Sequence, residues 1–260
     1  MIAHFKNLYA YRELLYTIAA RDVKVRYKQS VLGAVWAILQ PLSLMLIFTV
    51  VFSKFARIPT NGIPYPIFSY CAVLPWTFFA TSLAFAIPSL VNNITLVTKI
   101  YFPREIFPIA AVGASCFDFA IASLVFVGMM IYYHVAASVA LLMVPVLLAI
   151  QILLTLGLAF AASALNVFFR DIRYLVPLAV QIWMFLSPVI YPLSMVPERY
   201  RLIYSLNPMA VLLAGYRSLI LAGTMPSLPL LGLAAGISVG LFVVSYAIFK
   251  KLEPRFADVI

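Results

Sequence analysis

Charge is scarce in this 260-residue chain, and acidic residues are scarcer than basic ones. Only 10% of the residues are charged, whereas a soluble domain averages about 25%. Hydrophobic residues make up 65% of the chain, and the mean hydropathy is +1.07. A soluble protein of this length could not cover its surface with so few polar side chains, which makes a very apolar soluble protein the weaker alternative. The composition predicts an integral membrane protein.

Motifs for catalysis and for metal binding are also missing. The chain has neither GxxxxGK[ST] nor GxGxxG, and no pair of carboxylates lies inside an apolar run. His4 and His134 are far apart, and Cys71 and Cys116 lie singly in apolar stretches, without metal-ligand spacing. No polar segment exceeds about thirty residues, which leaves no room for a second soluble domain. We therefore expect one transmembrane domain over residues 1–260 that is not an enzyme, with no catalytic residue, no metal and no cofactor of its own.

Six apolar runs are long enough, or nearly so, for a helix to cross the hydrocarbon core. The runs are continuously apolar, which favours helices over the alternating strands of a barrel. The sequence thus predicts an all-α integral membrane fold with six transmembrane helices. The predicted spans cover residues 31–53, 66–91, 106–132, 138–167, 174–193 and 229–249.

Basic residues are distributed unevenly between the two sides that these spans define. The N-terminal segment, the loops 92–105 and 168–173 and the C-terminal tail carry thirteen of the eighteen Lys and Arg residues, and the other side carries five. By the positive-inside rule, both termini are predicted to be cytoplasmic. Topology also explains the net charge of +10. Nucleic-acid binding is a poor rival, because the basic residues do not form one patch.

The N-terminal residues 1–30 contain an apolar stripe with spacings of three and four. This pattern predicts an amphipathic helix that lies in the cytoplasmic membrane interface. A merely solvated helical extension is the alternative. The stripe consists of Phe5, Leu8, Tyr11, Leu15 and Ile18.

Segment 192–229 is apolar but repeatedly broken. Its uninterrupted pieces are about ten and fifteen residues long, too short to cross a membrane. We predict two short re-entrant helices that form an outer gate between the fifth and sixth spans. The alternative is a seventh span at 209–222, which would contain Arg217 and reverse the C-terminus. The breaks are Pro197, Asn207-Pro208, Gly223 and Pro226.

Asp118 is the only charged residue between Glu105 and Arg170. A carboxylate within a membrane span is costly and by default indicates function. It could line a conduit, relay protons, or serve as structural glue by hydrogen bonding to Ser115, Ser123 or a neighbouring helix. The structural role is favoured over the proton relay. A lone carboxylate without a cation in the predicted spans is weak support for proton coupling.

Four stretches together carry a family resemblance. The chain is similar to the permease subunit of the type-2 ATP-binding-cassette exporters of bacterial surface polysaccharides, which handle O antigen, capsule and teichoic acid. The resemblance covers nearly the whole chain, and LGxxW…P combined with KxYFPRE is its most specific part. The stretches are RYKQSVLGAVWAILQP (26–41), LVTKIYFPREIFP (96–108), NVFFRDIRYLVP (166–177) and FKKLEPRFADVI (249–260).

The resemblance implies a homodimer in the bacterial inner membrane, surrounded by membrane lipids. Two copies of a separate cytoplasmic subunit would bind ATP and Mg²⁺, and the cargo would be a lipid-linked polysaccharide, with O antigen as the first choice. One alternative is another cargo, such as teichoic acid, capsule, a drug or a lipid. Two others are an integral membrane glycosyl- or acyltransferase and a proton-coupled transporter that uses Asp118.

The resemblance also implies roles for particular residues. A coupling helix within 92–105 would sit in a groove of the ATP-binding subunit. Its contact side chains would be Lys99, Tyr101, Phe102, Arg104 and Glu105. A cytoplasmic gate, where glycine permits close helix approach, would comprise Leu32, Gly33 and Trp36.

The same resemblance implies residues that contact the lipid head group and residues that line the sugar path. The pyrophosphate head of the lipid-linked glycan would meet a cationic rim formed by Arg26 and Lys28. Aromatic rings would line the sugar path, and the expected residues are Phe48, Phe52, Trp183 and Tyr191.

Overall fold

A computed structural model describes residues 9–28, 30–60, 62–99 and 102–259, and these residues form helices and turns without a strand among them. The α-helices in chain order are α1 (Arg12–Tyr27), α2 (Val35–Phe48), α3 (Tyr65–Ala86), α4 (Ile94–Lys99), α5 (Ile106–Tyr132), α6 (Val144–Phe168), α7 (Ile172–Phe185), α8 (Glu198–Ser205), α9 (Pro208–Ile220), α10 (Leu228–Leu252) and α11 (Phe256–Val259).

Five of the described helical stretches are long and apolar enough to cross a membrane. Three of them include adjoining turns, because α2 continues as a π-helix, α6 is preceded by a 3₁₀ turn, and α10 is followed by one. This result confirms the all-α character of the predicted membrane fold. The five candidate spans are Val35–Phe55, Tyr65–Ala86, Ile106–Tyr132, Val139–Phe168 and Leu228–Arg255.

The predicted fifth span at 174–193 is not one helix over its whole length. Helix α7 has 14 residues, so it is about 21 Å long, and the hydrocarbon core is about 30 Å thick. The helix ends at Phe185 and the chain turns, because Pro188 has no backbone N–H and its ring disfavours a helical conformation at Ser187.

Helix α3 is the most enclosed of the candidate spans, with 83% of its apolar window buried. It packs against α2, α5, α6, α7 and α9, so the main core forms around it. A buried polar chain fixes two of these neighbours. Gln151 Nε2 donates to the carbonyl oxygen of Pro75 at 2.7 Å, and Tyr216 Oη donates to Gln151 Oε1 at 3.0 Å. These hydrogen bonds satisfy polar groups that lipid could not.

Helices α1 and α11 lie at the same end of the bundle, here called the termini end. Buried side chains from both helices, from the 92–105 segment and from the ends of α6 and α10 form one apolar cluster. Its buried members include Ile18, Val97, Phe102, Phe107, Phe160, Val167, Tyr246, Phe249 and Phe256.

The amphipathic stripe of the N-terminal helix packs on this cluster. Ile18 is buried, and Tyr11 and Leu15 are packed against it. Phe5 and Leu8, the other predicted members, lie outside the described residues. The described part of the stripe therefore packs against the chain's own core, and its location in the membrane interface stays a prediction.

The predicted outer-gate segment contains two short helices, as its breaks suggested. Helix α8 is exposed, whereas α9 is mostly buried and begins with an N-cap in which Asn207 Oδ1 accepts the backbone N–H of Ala210 at 3.3 Å. Helix α9 has 13 residues, about 20 Å, which is short for the alternative seventh span at 209–222.

Helices α6 and α10 make a close contact at Gly157. A Cβ atom added there would lie 2.9 Å from the backbone nitrogen of Phe242, so only glycine allows this approach. We predict that Gly157→Leu separates the two helices and lowers the thermal midpoint in detergent, with a cost of about 1–3 kcal/mol. Gly236→Leu on α10, where no atom lies within 4 Å, is the matched control. Equal midpoints for the two variants would contradict the close packing.

Candidate functional site

The predicted coupling segment, residues 92–105, lies at the termini end. Lys99, the last residue of α4, is exposed. Phe102 is 6% exposed and its ring packs edge-on against Phe107, with centroids 5.5 Å apart. Tyr101 lies outside the described residues. The structure thus presents Lys99 outward, while Phe102 anchors the segment in the termini-end cluster.

Glu105 is only 1% exposed and is held by two side chains of α10. Its Oε2 accepts from Lys250 Nζ at 2.7 Å, and its Oε1 accepts from Tyr246 Oη at 3.2 Å. Lys250 Nζ also donates to Glu253 Oε2 at 2.9 Å. The Glu105 carboxylate is thus buried and paired within its own chain.

Arg104 also binds the end of the chain. Its backbone N–H donates to Glu253 Oε1 at 3.0 Å, and its Nη1 donates to the Glu253 carbonyl oxygen at 2.5 Å. Arg104, Glu105, Lys250 and Glu253 are here called the charged joint. It ties the 92–105 segment to a part of the chain 149 positions away.

Asp118 has a cationic partner, which the sequence did not reveal. Arg26 of the N-terminal helix donates to Asp118 Oδ2, and its guanidinium lies 3.6 Å from the ring centroid of Phe85. Tyr27 Oη donates to Asp118 Oδ1 at 2.6 Å. Burial, together with this hydrogen bond to a carboxylate, raises the pKa of the Tyr27 phenol. The geometry supports the structural interpretation of Asp118, with Arg26 and Tyr27 as partners in place of Ser123.

A cavity of about 330 Å³ lies beside this ion pair. Among the described residues, Thr77 Oγ1 is one of three buried side-chain polar atoms without a hydrogen-bond partner. Arg26, one of the predicted head-group contacts, is neutralised by Asp118, whereas Lys28 is exposed. The lining of the cavity combines aromatic and polar side chains, including Trp36, Gln40, Thr81, Phe85 and Ser115.

The predicted cytoplasmic gate is an exposed turn that leads into α2. Leu32 and Trp36 are exposed. Gly33 has a φ of +51°, and no atom lies within 4 Å of its would-be Cβ. Gly33 thus serves a left-handed turn within the chain, and a close helix approach at the gate stays a prediction.

The four predicted channel aromatics are held by neighbours in the same chain. Phe48 is buried and packs edge-on against Phe52, with centroids 5.9 Å apart. Trp183 Nε1 donates to Asn207 Oδ1 at 3.0 Å. Tyr191 Oη lies 2.7 Å from the hydroxyl of Tyr204. Phe52, Trp183 and Tyr191 keep partial exposure, and Phe48 does not.

Arg217 on α9 is a buried cation that binds carbonyl oxygens instead of a carboxylate. Its guanidinium lies 3.8 Å from the ring centroid of Phe68. The acceptors, all carbonyl oxygens, are those of Pro188 at 2.6 Å, Val189 at 2.7 Å, Tyr191 at 3.0 Å and Phe68 at 3.4 Å. Arg217 thus ties α9 and α3 to the turn that follows α7.

Sequence reasoning missed the partners of these charged groups. Within the described ranges, no group of three or more His, Cys, Asp or Glu side chains could hold a metal ion. The available signal was the isolation of single charges in apolar stretches, such as Arg217 and Asp118. Each such charge needs an internal partner, but the sequence does not say which partner the fold supplies.

The chain matches the family described as ABC-2 type transporter over residues 13–221. It is 32% identical to the protein named O-antigen export system permease protein RfbA of Myxococcus xanthus, over 99% of both chains. Two proteins with the same name from Klebsiella pneumoniae are 30% and 31% identical to it, each over 95% of both chains.

We predict that Arg217→Lys destabilises the protein, because one ammonium group cannot reach all the carbonyl oxygens that the guanidinium fork satisfies. Leaving buried acceptors unpaired should cost about 2–4 kcal/mol. The measurement is the thermal midpoint in detergent. Arg201→Lys is the control, because its ion pair with Glu198 is exposed and contributes at most about 1 kcal/mol. Similar midpoints for both variants would contradict the role of Arg217.

We predict that Asp118→Asn loosens the N-terminal helix, because Arg26 then loses its carboxylate partner. Amide hydrogen exchange across Arg12–Tyr27 should become about tenfold faster, while exchange in Leu228–Leu252 stays unchanged. Asp22→Asn is the control on the same helix, since Asp22 pairs only with its neighbour Arg21 among the described ion pairs. Unchanged exchange in the Asp118 variant would show that the ion pair does not hold the helix.

Proposed function

The chain belongs to the ABC-2 type transporter family, and we propose that it is the permease subunit of an ATP-driven exporter that moves lipid-linked O-antigen polysaccharide across the bacterial inner membrane. The observation that carries this proposal is the similarity to three O-antigen export permeases over 95% or more of the chain. The family makes the chain a transport subunit and not an enzyme. ATP and Mg²⁺ would be bound by a separate ATP-binding subunit.

We propose that the protein crosses the membrane six times, with the termini end in the cytoplasm. Helices α1 and α11 share one end, so the number of crossings must be even. Phe168 packs against Phe256 at the termini end, and α10 begins at the opposite end because it finishes at the termini end. The chain between residues 168 and 228 must therefore cross an odd number of times, and we assign one crossing to α7 with the turn after it. Helices α8 and α9 would then be outer gate helices.

The proposed channel lies between two copies of the chain. Helices α2 and α7 expose large apolar side chains that one copy alone leaves uncovered. Pairing α2 and α7 of two copies would enclose a path whose exposed rings include Trp36, Tyr174 and Phe185. The exposed apolar residues of the two helices are Val35, Trp36, Leu46 and Ile47 on α2 and Tyr174, Leu175, Leu178, Ile182 and Phe185 on α7.

The proposed entry site for the lipid-linked glycan lies at the start of α2. Lys28 is exposed at the end of α1 and would attract an anionic pyrophosphate head. Leu32 on the exposed turn and Trp36 in the first turn of α2 would narrow the mouth between the two copies. Arg26 contributes less to this attraction than the sequence suggested, because Asp118 already neutralises it.

The proposed docking site for the ATP-binding subunit is the 92–105 segment, with Lys99 as its exposed cation. Phe102 and Glu105 are buried and would hold the segment in position instead of touching the partner. Arg104 would act in the same way, because both its backbone and its side chain bind Glu253.

We predict that the tagged chain, purified from its native membrane in mild detergent, brings down an ATP-binding subunit in equal proportion. Lys99→Glu should lower the recovered subunit about tenfold, because it reverses an exposed charge at the contact. Arg199→Glu is the control, an exposed charge reversal on α8 at the opposite end. Equal recovery with Lys99→Glu would move the contact elsewhere. Absence of the subunit from wild type in several mild detergents would overturn the proposed function.

A further inference from the structure

The charged joint connects two parts of the chain that the proposed function treats separately. The 92–105 segment is the proposed docking site, and α10 is the last candidate span. Glu105 binds Lys250 at 2.7 Å, and the backbone and side chain of Arg104 both bind Glu253. These four residues are the charged contacts by which the 92–105 segment reaches α10 among the described ion pairs and side-chain hydrogen bonds.

The charged joint lies where a displacement of the 92–105 segment would reach α10. Glu105 directly precedes α5 and is 1% exposed, so its carboxylate cannot be replaced by water without opening the structure. A buried carboxylate that loses its cation is strongly disfavoured. Lys250 is therefore held to Glu105 throughout any small displacement of the 92–105 segment, and α10 must follow that displacement.

Helix α10 reaches from the joint to the opposite end of the bundle. Its 25 residues make a rod of about 37 Å, and the close contact at Gly157 keeps it packed on α6. Near its start, α10 packs against α9 and contacts α8. Helix α9 contains Arg217, which binds the turn after α7. A continuous set of packed elements thus runs from the 92–105 segment to the proposed outer gate.

We propose that Glu105, Lys250 and Glu253 are positioning residues that transmit movement of the 92–105 segment into α10, and through α10 to the outer gate helices. This inference rests on the proposed function, because the movement originates in the ATP-binding subunit. The 92–105 segment would then move two helices: α5, which it directly precedes, and α10, which it contacts through the charged joint.

The experiment uses the purified complex of the chain with its ATP-binding subunit, together with cells that carry the same variants. The variants are Lys250→Met, Glu105→Gln, the neutral double variant that combines them, and the exchanged pair Glu105→Lys with Lys250→Glu. Lys251→Met is the matched control, an exposed lysine one position further along the same helix end. The readouts are the thermal midpoint, the recovered ATP-binding subunit, the ATP hydrolysis rate and the O antigen delivered to the cell surface.

We expect Lys250→Met to lower the thermal midpoint, because it leaves the Glu105 carboxylate buried without its cation. The neutral double variant should regain stability, recover the ATP-binding subunit as wild type does, and hydrolyse ATP. Its O antigen export per ATP hydrolysed should nevertheless fall about tenfold, and the exchanged pair should restore much of the loss. A residue with a purely structural role would not change this ratio once stability is restored.

Three results would overturn the inference. Normal export per ATP in the neutral double variant would show that the joint only stabilises the fold. Loss of the ATP-binding subunit from stable joint variants would place these residues in the docking surface. A tenfold fall with Lys251→Met would show that the helix end, and not the joint, is responsible. Each leaves the proposed function standing, which fails separately if wild type recovers no ATP-binding subunit.

Discussion

Hydrocarbon cannot solvate an unpaired backbone group or a charge, and the structure depends on this constraint wherever a helix stops. Three of the interruptions are joined to the rest of the chain by charged side chains. The turn after α7 exposes carbonyl oxygens, and Arg217 binds three of them. The break between α1 and α2 follows the Arg26–Asp118 ion pair. The break before α5 contains the charged joint. These three breaks thus become fixed points of the fold.

These ties differ in what they connect. Arg217 binds neutral carbonyl oxygens and so holds backbone to backbone, as a fork of five donors can. The Arg26–Asp118 pair holds a helix of the termini end against a candidate span. Of the two ties that contain a carboxylate, the charged joint has the more buried carboxylate, because Glu105 is almost fully buried and accepts from both Lys250 and Tyr246. Enclosure matters for function, since a buried pair resists separation while an exposed pair does not.

The long helices and the breaks near their ends were predictable because length, hydropathy and proline act locally. The predicted span 106–132 and the helix Ile106–Tyr132 coincide for this reason. The helix of the fifth predicted span ends at Phe185, before the predicted bound, because Pro188 acts locally within an otherwise apolar run. The charge partners could not be predicted, since Lys250 and Glu105 are 145 positions apart and no periodic pattern links them. The left-handed backbone conformation of Gly33 could not be predicted either, because the sequence does not reveal its positive φ.

Internal pairing of the few acidic residues affects the surface charge of the termini end. Of the eight Asp and Glu residues in the chain, Glu105, Asp118 and Glu253 are engaged in internal ion pairs near the termini end. Their charges therefore do little to offset the basic residues at the surface of that end. Exposed Lys28, Lys99 and Lys251 keep their positive field, which the positive-inside rule associates with the cytoplasmic face and which anionic lipid attracts. The same carboxylates that tie the helices together thus leave the surface charge asymmetric, so packing and orientation in the membrane follow from one distribution of charge.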